Sequence, residues 1–393
     1  MFKKSVSLVL AVLMVACCFA FTACGEKKKE FKIGILCLHD EKSTYDKNFI
    51  DALYAAQKAL GLKDSQVIVK TGIPESNVCY ESAADLVDQG CDVIFADSFN
   101  HEDFLIKAAK EFPEVQFCHA TGVKAKTENL PNYHNAFASI YEGRYLAGVA
   151  AGLKMNEMIE AGKFTADEAK MGYIGAYTYA EVISGYTSFY LGAKSVCPTV
   201  TMDVQFTGSW FDVNEEKNAA LALIDRGCKL ISQHADSMGA PSACEEKEVP
   251  NISYNVSTAE TCGNTFIIAS KINWQPYFEY IIKAVQDGKT IDTDWCGTLA
   301  TSSVQVTEVN TKAAAAGTAE KLAAVKADLE AGKIHVFDTT TFTVDGKPLT
   351  SYKVSDIEVV KDGYFSESDV TLFRSAPYFD LAIDGITRLN EKF

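Results

Sequence analysis

Five aromatic residues stand in short loops just past apolar, strand-like runs: Tyr45, Phe99, Trp210, Phe211 and Trp274. Two of the three tryptophans in the chain are among them. Asp40, Ser43, Asp97, Asn100, Asp212, Asp236, Ser237, Asn255 and Asn273 lie beside them and add hydrogen-bond donors and acceptors. Flat rings next to neutral or anionic polar groups suit a planar, polar ligand that is uncharged or weakly cationic. A nucleobase or a nucleoside fits that chemistry, and a sugar, whose faces also stack on rings, would give a similar mixture. Any one loop aromatic can fold back on the core. Four of them at strand ends (Tyr45, Phe99, Trp210 and Trp274) are harder to explain that way.

Groups that would do covalent chemistry are sparse. The sequence has no G-x-S-x-G, no G-x-x-x-x-G-K-[ST], no H-E-x-x-H and no Gly-rich dinucleotide turn after a strand. His39, His101 and His234 lie at expected strand ends and are the material for an acid/base or metal site, which is the enzymatic alternative. Ordinary loop histidines are the simpler reading. No cofactor and no metal are expected.

The elements that must position these loops alternate. A buried strand is expected over 31–37, followed by a helix capped by Ser43. Phe49, Leu53, Ala56 and Leu60 share one face of that helix, and Gly61 ends it. Further strands are expected over 66–70, 92–96 and 115–120, with helices over 75–89 and 101–112 between them. Alternating strands and helices imply right-handed crossovers and a parallel sheet. The order then repeats. Lys32-Ile-Gly-Ile-Leu36 returns as Lys170-Met-Gly-Tyr-Ile174, an offset of 138. Thr71-Gly72 returns as Thr207-Gly208, offset 136, and Leu86-Val-Asp-Gln-Gly-Cys-Asp-Val-Ile94 as Leu223-Ile-Asp-Arg-Gly-Cys-Lys-Leu-Ile231, offset 137. A helix–Gly–strand junction explains one such match but not a near-constant spacing. Two similar α/β lobes follow, with a ligand cleft beyond the carboxyl ends of their strands. The expected division is an N-terminal lobe over 31–165 with part of 271–310, and a C-terminal lobe over 166–270 with part of 311–393. Helices are expected over 275–287 and 312–331.

Composition narrows the class. Across 393 residues, 37 Lys and Arg face 52 Asp and Glu, a formal charge of −15. The sequence shows no basic stripe beyond Lys27-Lys28-Lys29, so nucleic acid is not an expected partner. Lys3 and Lys4 precede an apolar run over 6–21, and Thr22-Ala23-Cys24-Gly25 follows. This is the pattern of a secretory signal over 1–23, of the bacterial lipoprotein kind that leaves a lipidated Cys24 on a tether over 24–30. Removing Lys3 and Lys4 leaves 35 basic against 52 acidic residues, or −17. Nine cysteines remain beyond Cys24, none in C-x-x-C spacing, and they read as small packing residues.

Several segments carry a resemblance to a known family: Ser43-Thr-Tyr-Asp46, Tyr141-Glu-Gly-Arg-Tyr-Leu-Ala-Gly-Val-Ala-Ala-Gly-Leu153, Gly208-Ser-Trp-Phe-Asp212 and Ala269-Ser270. Through them the chain resembles the basic membrane protein family of ABC-transporter substrate-binding lipoproteins, of the purine nucleoside receptor type. The resemblance implies a type I periplasmic binding protein fold, with two lobes joined by three crossovers and closing on ligand. It also implies a lipid-anchored, extracytoplasmic receptor, expected as a monomer, that passes its ligand to a membrane permease. In nucleoside-binding members, D-x-S-F-N in the first loop, an aromatic and an acid in G-S-F-x-D, a later Asp, and a Lys after A-S hold base and ribose. Here Ser43 is kept but Thr44 and Tyr45 stand for Phe and Asn. Trp210 takes the stacking position and Asp212 the acid. Asn255 replaces the ribose-binding Asp, and Asn273 replaces the Lys. Losing both charges weakens the expected grip on ribose. The expectation is a purine base, or a nucleoside, between Trp210 and Trp274, with Asp97, Asn100 and Asp236 at the ring edge. Another solute of the same fold class, such as a sugar or a small signal molecule, is the alternative.

Overall fold

The apolar runs of each half become the central strands of two separate sheets in the computed structural model, which describes residues 29–391. In the first half, β1 (Ile33–Leu36), β2 (Val67–Lys70), β3 (Val93–Ala96), β4 (Gln116–Ala120) and β5 (Tyr133–Ala138) lie in the order β2-β1-β3-β4-β5, all parallel. In the second, β6 (Lys170–Gly175), β7 (Thr201–Phe206), β8 (Leu230–Gln233), β9 (Asn251–Tyr254) and β10 (Phe266–Ile272) lie in the order β7-β6-β8-β9-β10, also parallel. The two orders are identical, so the repeat in the sequence is a repeat of topology. β1 and β3 are buried along their whole length, as expected of strands covered by helices on both faces.

The repeated residues have a packing reason. A Cβ on Gly34 of β1 would lie 2.6 Å from Leu86 Cδ1, and one on Gly172 of β6 would lie 3.0 Å from Leu223 Cβ. Leu86 and Leu223 are themselves the repeated pair, so each half seats the same leucine against the same glycine. Gly90 and Gly227 follow those leucines with φ of 84° and 90°, a conformation that costs glycine least.

The helices follow their local signals. Thr44–Leu60 (α1) starts at Ser43, whose side chain accepts from the Asp46 amide, and closes on Gly61 in the left-handed region. Asn77–Asp88 (α2), Glu102–Glu111 (α3) and the short Ala125–Glu128 (α4) complete the first half. The chain then crosses to the second sheet through Ile140–Glu160 (α5), which is buried on nearly every side. A Cβ on Gly148 or Gly152 of α5 would meet a backbone oxygen of Ala180–Lys194 (α6) at 1.9 or 2.5 Å, and one on Gly143 would meet Val304 and Ser270. A first lobe ending at 165 is therefore corrected: α5 packs with the second sheet, and the change of sheet follows Ala138. Val213–Asp225 (α7) and Gly239–Lys247 (α8) complete the second half. Gln275–Gln286 (α9) leads back to β11 (Asp294–Gly297), which pairs with β5, and β12 (Val304–Val306) returns antiparallel to β10. These are three crossovers between sheets.

The Ala-rich helix begins at Thr318, not at 312, because Gly317 sits at φ 76° and breaks the run; Thr318–Glu330 is α10. Three two-residue hairpins follow, and Ile386–Arg388 joins the edge of the second sheet beside β7. Of the nine cysteines among the described residues, all are free, eight are buried and Cys296 is half-buried. The described residues contain no helix long and apolar enough to cross a membrane. Cys24 and the segment over 1–23 lie outside the described residues.

Candidate functional site

The carboxyl ends of β1, β3 and β4 face those of β6, β7 and β8 across a cavity. Leu38, His39, Tyr45, Asp46, Ser98, Phe99 and Thr121 line it from the first half, and Glu181, Trp210, His234 and Asp236 from the second. It is narrow and partly open to solvent. Contacts between the halves surround it. The Thr44 amide donates to the Asp236 carbonyl at 2.9 Å, Phe99 stacks on Tyr179 at 4.8 Å, and His39 meets Phe211 at 5.4 Å. Tyr179 also stacks on Tyr177, whose ring meets Trp210 edge-on at 5.0 Å.

Tyr45, Phe99, Trp210 and Asp236 are thus brought together, and the other nominated residues are placed elsewhere. Trp274 is corrected most clearly. It is 1% exposed and stacked on Phe49 at 4.5 Å, with Phe95, Phe137 and Tyr277 around it, so it is a core residue of the first half and offers no face to a ligand. Ser43 and Asp212 are helix caps. Asn100 bonds Glu75, Asp40 accepts from the Lys42 amide in solvent, and Asn273 donates to the Ser302 carbonyl. Asn255 is buried with φ 67°, and its amide reaches Asp236 Oδ1 at 3.4 Å. Asp97 lies beneath the cavity. Its Oδ1 accepts from the Leu38 amide at 3.1 Å, and its carbonyl accepts from the Tyr45 hydroxyl at 2.8 Å.

Of the three histidines, His39 and His234 reach the cavity. His101 does not: it is fully buried, bonded to the Ile73 carbonyl, and burial pushes its pKa down to about 4. No three-histidine site forms.

Carboxyl groups dominate the electrostatics. Burial alone would raise Asp46, but hydrogen bonds from the His39 ring, the Ser43 hydroxyl at 2.5 Å and the His39 amide at 2.8 Å hold it below the usual carboxylate range. Burial, then the Asp46 charge, pushes Asp97 well above that range. Burial, then the charges of Glu216, Asp46 and Glu181, does the same to Asp236. Cys37, Asp46 and Asp97 offer ligand atoms within 4.8 Å of one another. Burial raises both the Cys37 thiol and Asp97 toward their protonated forms, which are poor metal ligands. A cation, Arg144 of α5, stands beside the site. Its Nη1 donates to the Gln233 carbonyl at 2.9 Å, Nη2 lies 3.1 Å from His234 Nδ1, and the guanidinium covers the Tyr254 ring at 3.3 Å.

Reading the strand-end loops missed Leu38, Asp46, Ser98, Thr121 and Glu181. The repeat itself could have found Glu181. An offset of 138 maps the first loop, 38–45, onto 176–183, which holds Tyr177, Tyr179 and Glu181.

A cavity between two topologically identical lobes, at the carboxyl ends of parallel strands, defines a two-lobe solute-binding protein. Solved structures agree on the fold. Solute-binding proteins of ABC systems from Conexibacter woesei and Aeropyrum pernix superpose with TM-scores of 0.63 and 0.66 at 19% and 16% identity. Each covers 78% of this chain, which in turn covers 98% and 93% of theirs. The chain belongs to the Bmp family of PnrA-like ABC transporter substrate-binding proteins, whose model matches residues 36–329. That family binds solutes and is not an enzyme family. A purine-binding protein of Brucella abortus is 38% identical over 199 residues, 51% of this chain and 53% of its own length. A putative glucose-binding protein of Haloferax volcanii is 32% identical over 207 residues, covering 52% and 49%. The nucleoside-binding protein BmpA of Lactococcus lactis is 27% identical over 231 residues, covering 57% and 60%. The chain spans about half the length of the first two of these relatives.

Proposed function

We propose that this protein is the receptor of an ABC importer and captures a purine nucleobase, or a nucleoside, between its lobes for delivery to the permease. The observation that carries the reading is the cavity wall, in which Phe99 and Trp210 come from opposite halves and Glu181 and Asp236 supply carboxyl groups beside them. Stacking faces with carboxylates at the edge suit a ring with N–H donors and repel phosphates. Asn255 and Asn273 both bond to protein groups, which favours the free base over the nucleoside. The names of the Brucella and Lactococcus relatives point the same way.

Calorimetric titration of the chain from Gly25 onward with adenine, guanine, adenosine, guanosine and glucose tests the reading. A purine ligand that binds with one site supports it. Binding of glucose alone, the ligand in the Haloferax relative's name, would replace it with a sugar receptor. The anchor is a second part of the proposal: Cys24 carries lipid, and Cys24→Ala should abolish palmitate incorporation in a bacterial host. Monomeric action is proposed with it.

A further inference from the structure

Resting on that purine reading, we propose that Glu181 selects an exocyclic amino group on the bound base, so that the site takes aminopurines and rejects bases with a carbonyl at that edge. The argument is one of elimination among the acceptors that line the cavity. Asp46 already accepts from the His39 amide and the Ser43 hydroxyl, with the His39 ring 3.6 Å away. Asp236 Oδ1 is approached by the Asn255 amide at 3.4 Å, and burial, then the charges of Glu216, Asp46 and Glu181, raises this carboxyl well above the usual range toward its protonated form, a poorer acceptor. Glu181 meets His234 at a longer 3.5 Å, Oε1 to Nε2, and the same carboxylate lines the cavity.

His234 fixes that carboxylate in an accepting role. Arginine only donates, so the 3.1 Å contact from Arg144 requires His234 Nδ1 to accept and places the ring proton on Nε2, which faces Glu181. Packing holds the imidazole there. Gly185 approaches it so closely that a Cβ would lie 3.2 Å from Nδ1, and Tyr254 lies 5.1 Å from its centroid. Arg144 is engaged with Gln233, His234 and Tyr254, and among the described residues that line the cavity there is no lysine or arginine. A carbonyl oxygen turned toward Glu181 therefore meets an acceptor, whereas an amino group makes a charge-assisted hydrogen bond. A site built around a buried acceptor discriminates strongly against a ligand without the donor, because the acceptor is then left unpaired.

The test is titration of the full-length protein in detergent with adenine, guanine and hypoxanthine, repeated on Glu181→Gln. The better aminopurine should bind at least about tenfold more tightly than hypoxanthine to the native protein. A glutamine amide can donate as well as accept, so Glu181→Gln should narrow the gap by gaining hypoxanthine affinity, a change that general damage to the fold would not produce. Hypoxanthine binding within about threefold of the better aminopurine overturns the inference, and so does a gap unchanged in Glu181→Gln. The native measurement decides even if the variant does not fold. If none of the three bases binds, the purine reading fails and this inference falls with it; if hypoxanthine binds as well as the aminopurines, only the inference fails.

Discussion

The two tryptophans nominated as a sandwich should behave as different kinds of residue. Trp274 is 1% exposed and enclosed by Phe49, Phe95, Phe137 and Tyr277, so truncation removes a complete indole from a packed aromatic cluster. Trp→Ala changes of that type cost about 3–5 kcal/mol, the larger values where neighbours cannot collapse into the space. Rings on several sides, drawn from α1, β3, β5 and α9, limit such collapse here. At roughly 2–4 °C per kcal/mol for chains of 150–250 residues, Trp274→Ala should melt on the order of 10 °C lower. Trp210 is half-buried at the cavity rim, so Trp210→Ala should leave stability nearly unchanged. Its loss should weaken base binding by about 1–3 kcal/mol, the range for one base–aromatic stack. That is roughly five- to 150-fold in dissociation constant. Thermal melts without ligand and calorimetry with the best purine measure the two effects separately. A Trp274→Ala protein that melts normally but loses ligand would refute the placement of Trp274 in the core, and with it the reasoning from ring packing.

Two further predictions concern the frame. Gly148→Ala would set a Cβ 1.9 Å from the Phe189 carbonyl oxygen, and backbone cannot yield as a side chain can, so the cost should reach or exceed the ~1–3 kcal/mol of ordinary overpacking; chemical denaturation measures it, and an unshifted midpoint would contradict the contact between α5 and α6. Stability should also peak between about pH 5 and 6.5. Burial raises Glu142, Glu216 and Glu367 to about 7, so their contribution is complete below the unfolded value of about 4.5 and is lost as pH rises through 7. Burial lowers His101, His119 and His134 to about 4, so theirs is complete above about 6.5 and is lost as pH falls through 4. A melting temperature that climbs steadily to pH 8 would show the carboxyl groups to be better solvated than their burial implies.

The fold was legible because its signals are local and doubled. Ser43 and Gly61 bound α1, and the leucine–glycine pairs at 86/34 and 223/172 serve the same contact in both sheets. The change of sheet after Ala138 was not legible, because α5 is buried on nearly every side and shows no single apolar face that would reveal which layer covers it. The site was half legible for a related reason. Position at a strand end says that a residue is near the cleft, but not whether its side chain turns toward it. Tyr45 and Trp274 look alike in sequence, yet Tyr45 reaches over Asp97 while Trp274 opens a helix whose apolar face draws it inward. Caps consumed Ser43 and Asp212, since a side chain that accepts from the first amides of a helix is oriented by that bond.

Recognition and closure draw on the same loops, and this links them energetically. The loop after β1 supplies His39, Tyr45 and Asp46 to the cavity and also the Thr44 amide that bonds the Asp236 carbonyl on the opposite lobe. Phe99 both lines the cavity and stacks on Tyr179 across the cleft. Asp46, Glu181 and Asp236 line the cavity together, and burial, then the charges of Glu216, Asp46 and Glu181, raises Asp236. A ligand with N–H donors placed between these groups would gain contacts to both halves at once. Its differential affinity for the closed form is what shifts the population of closed molecules. An anionic ligand would add to the repulsion and favour the open form. On the proposed function, the acidic lining would select which ligands favour the closed form.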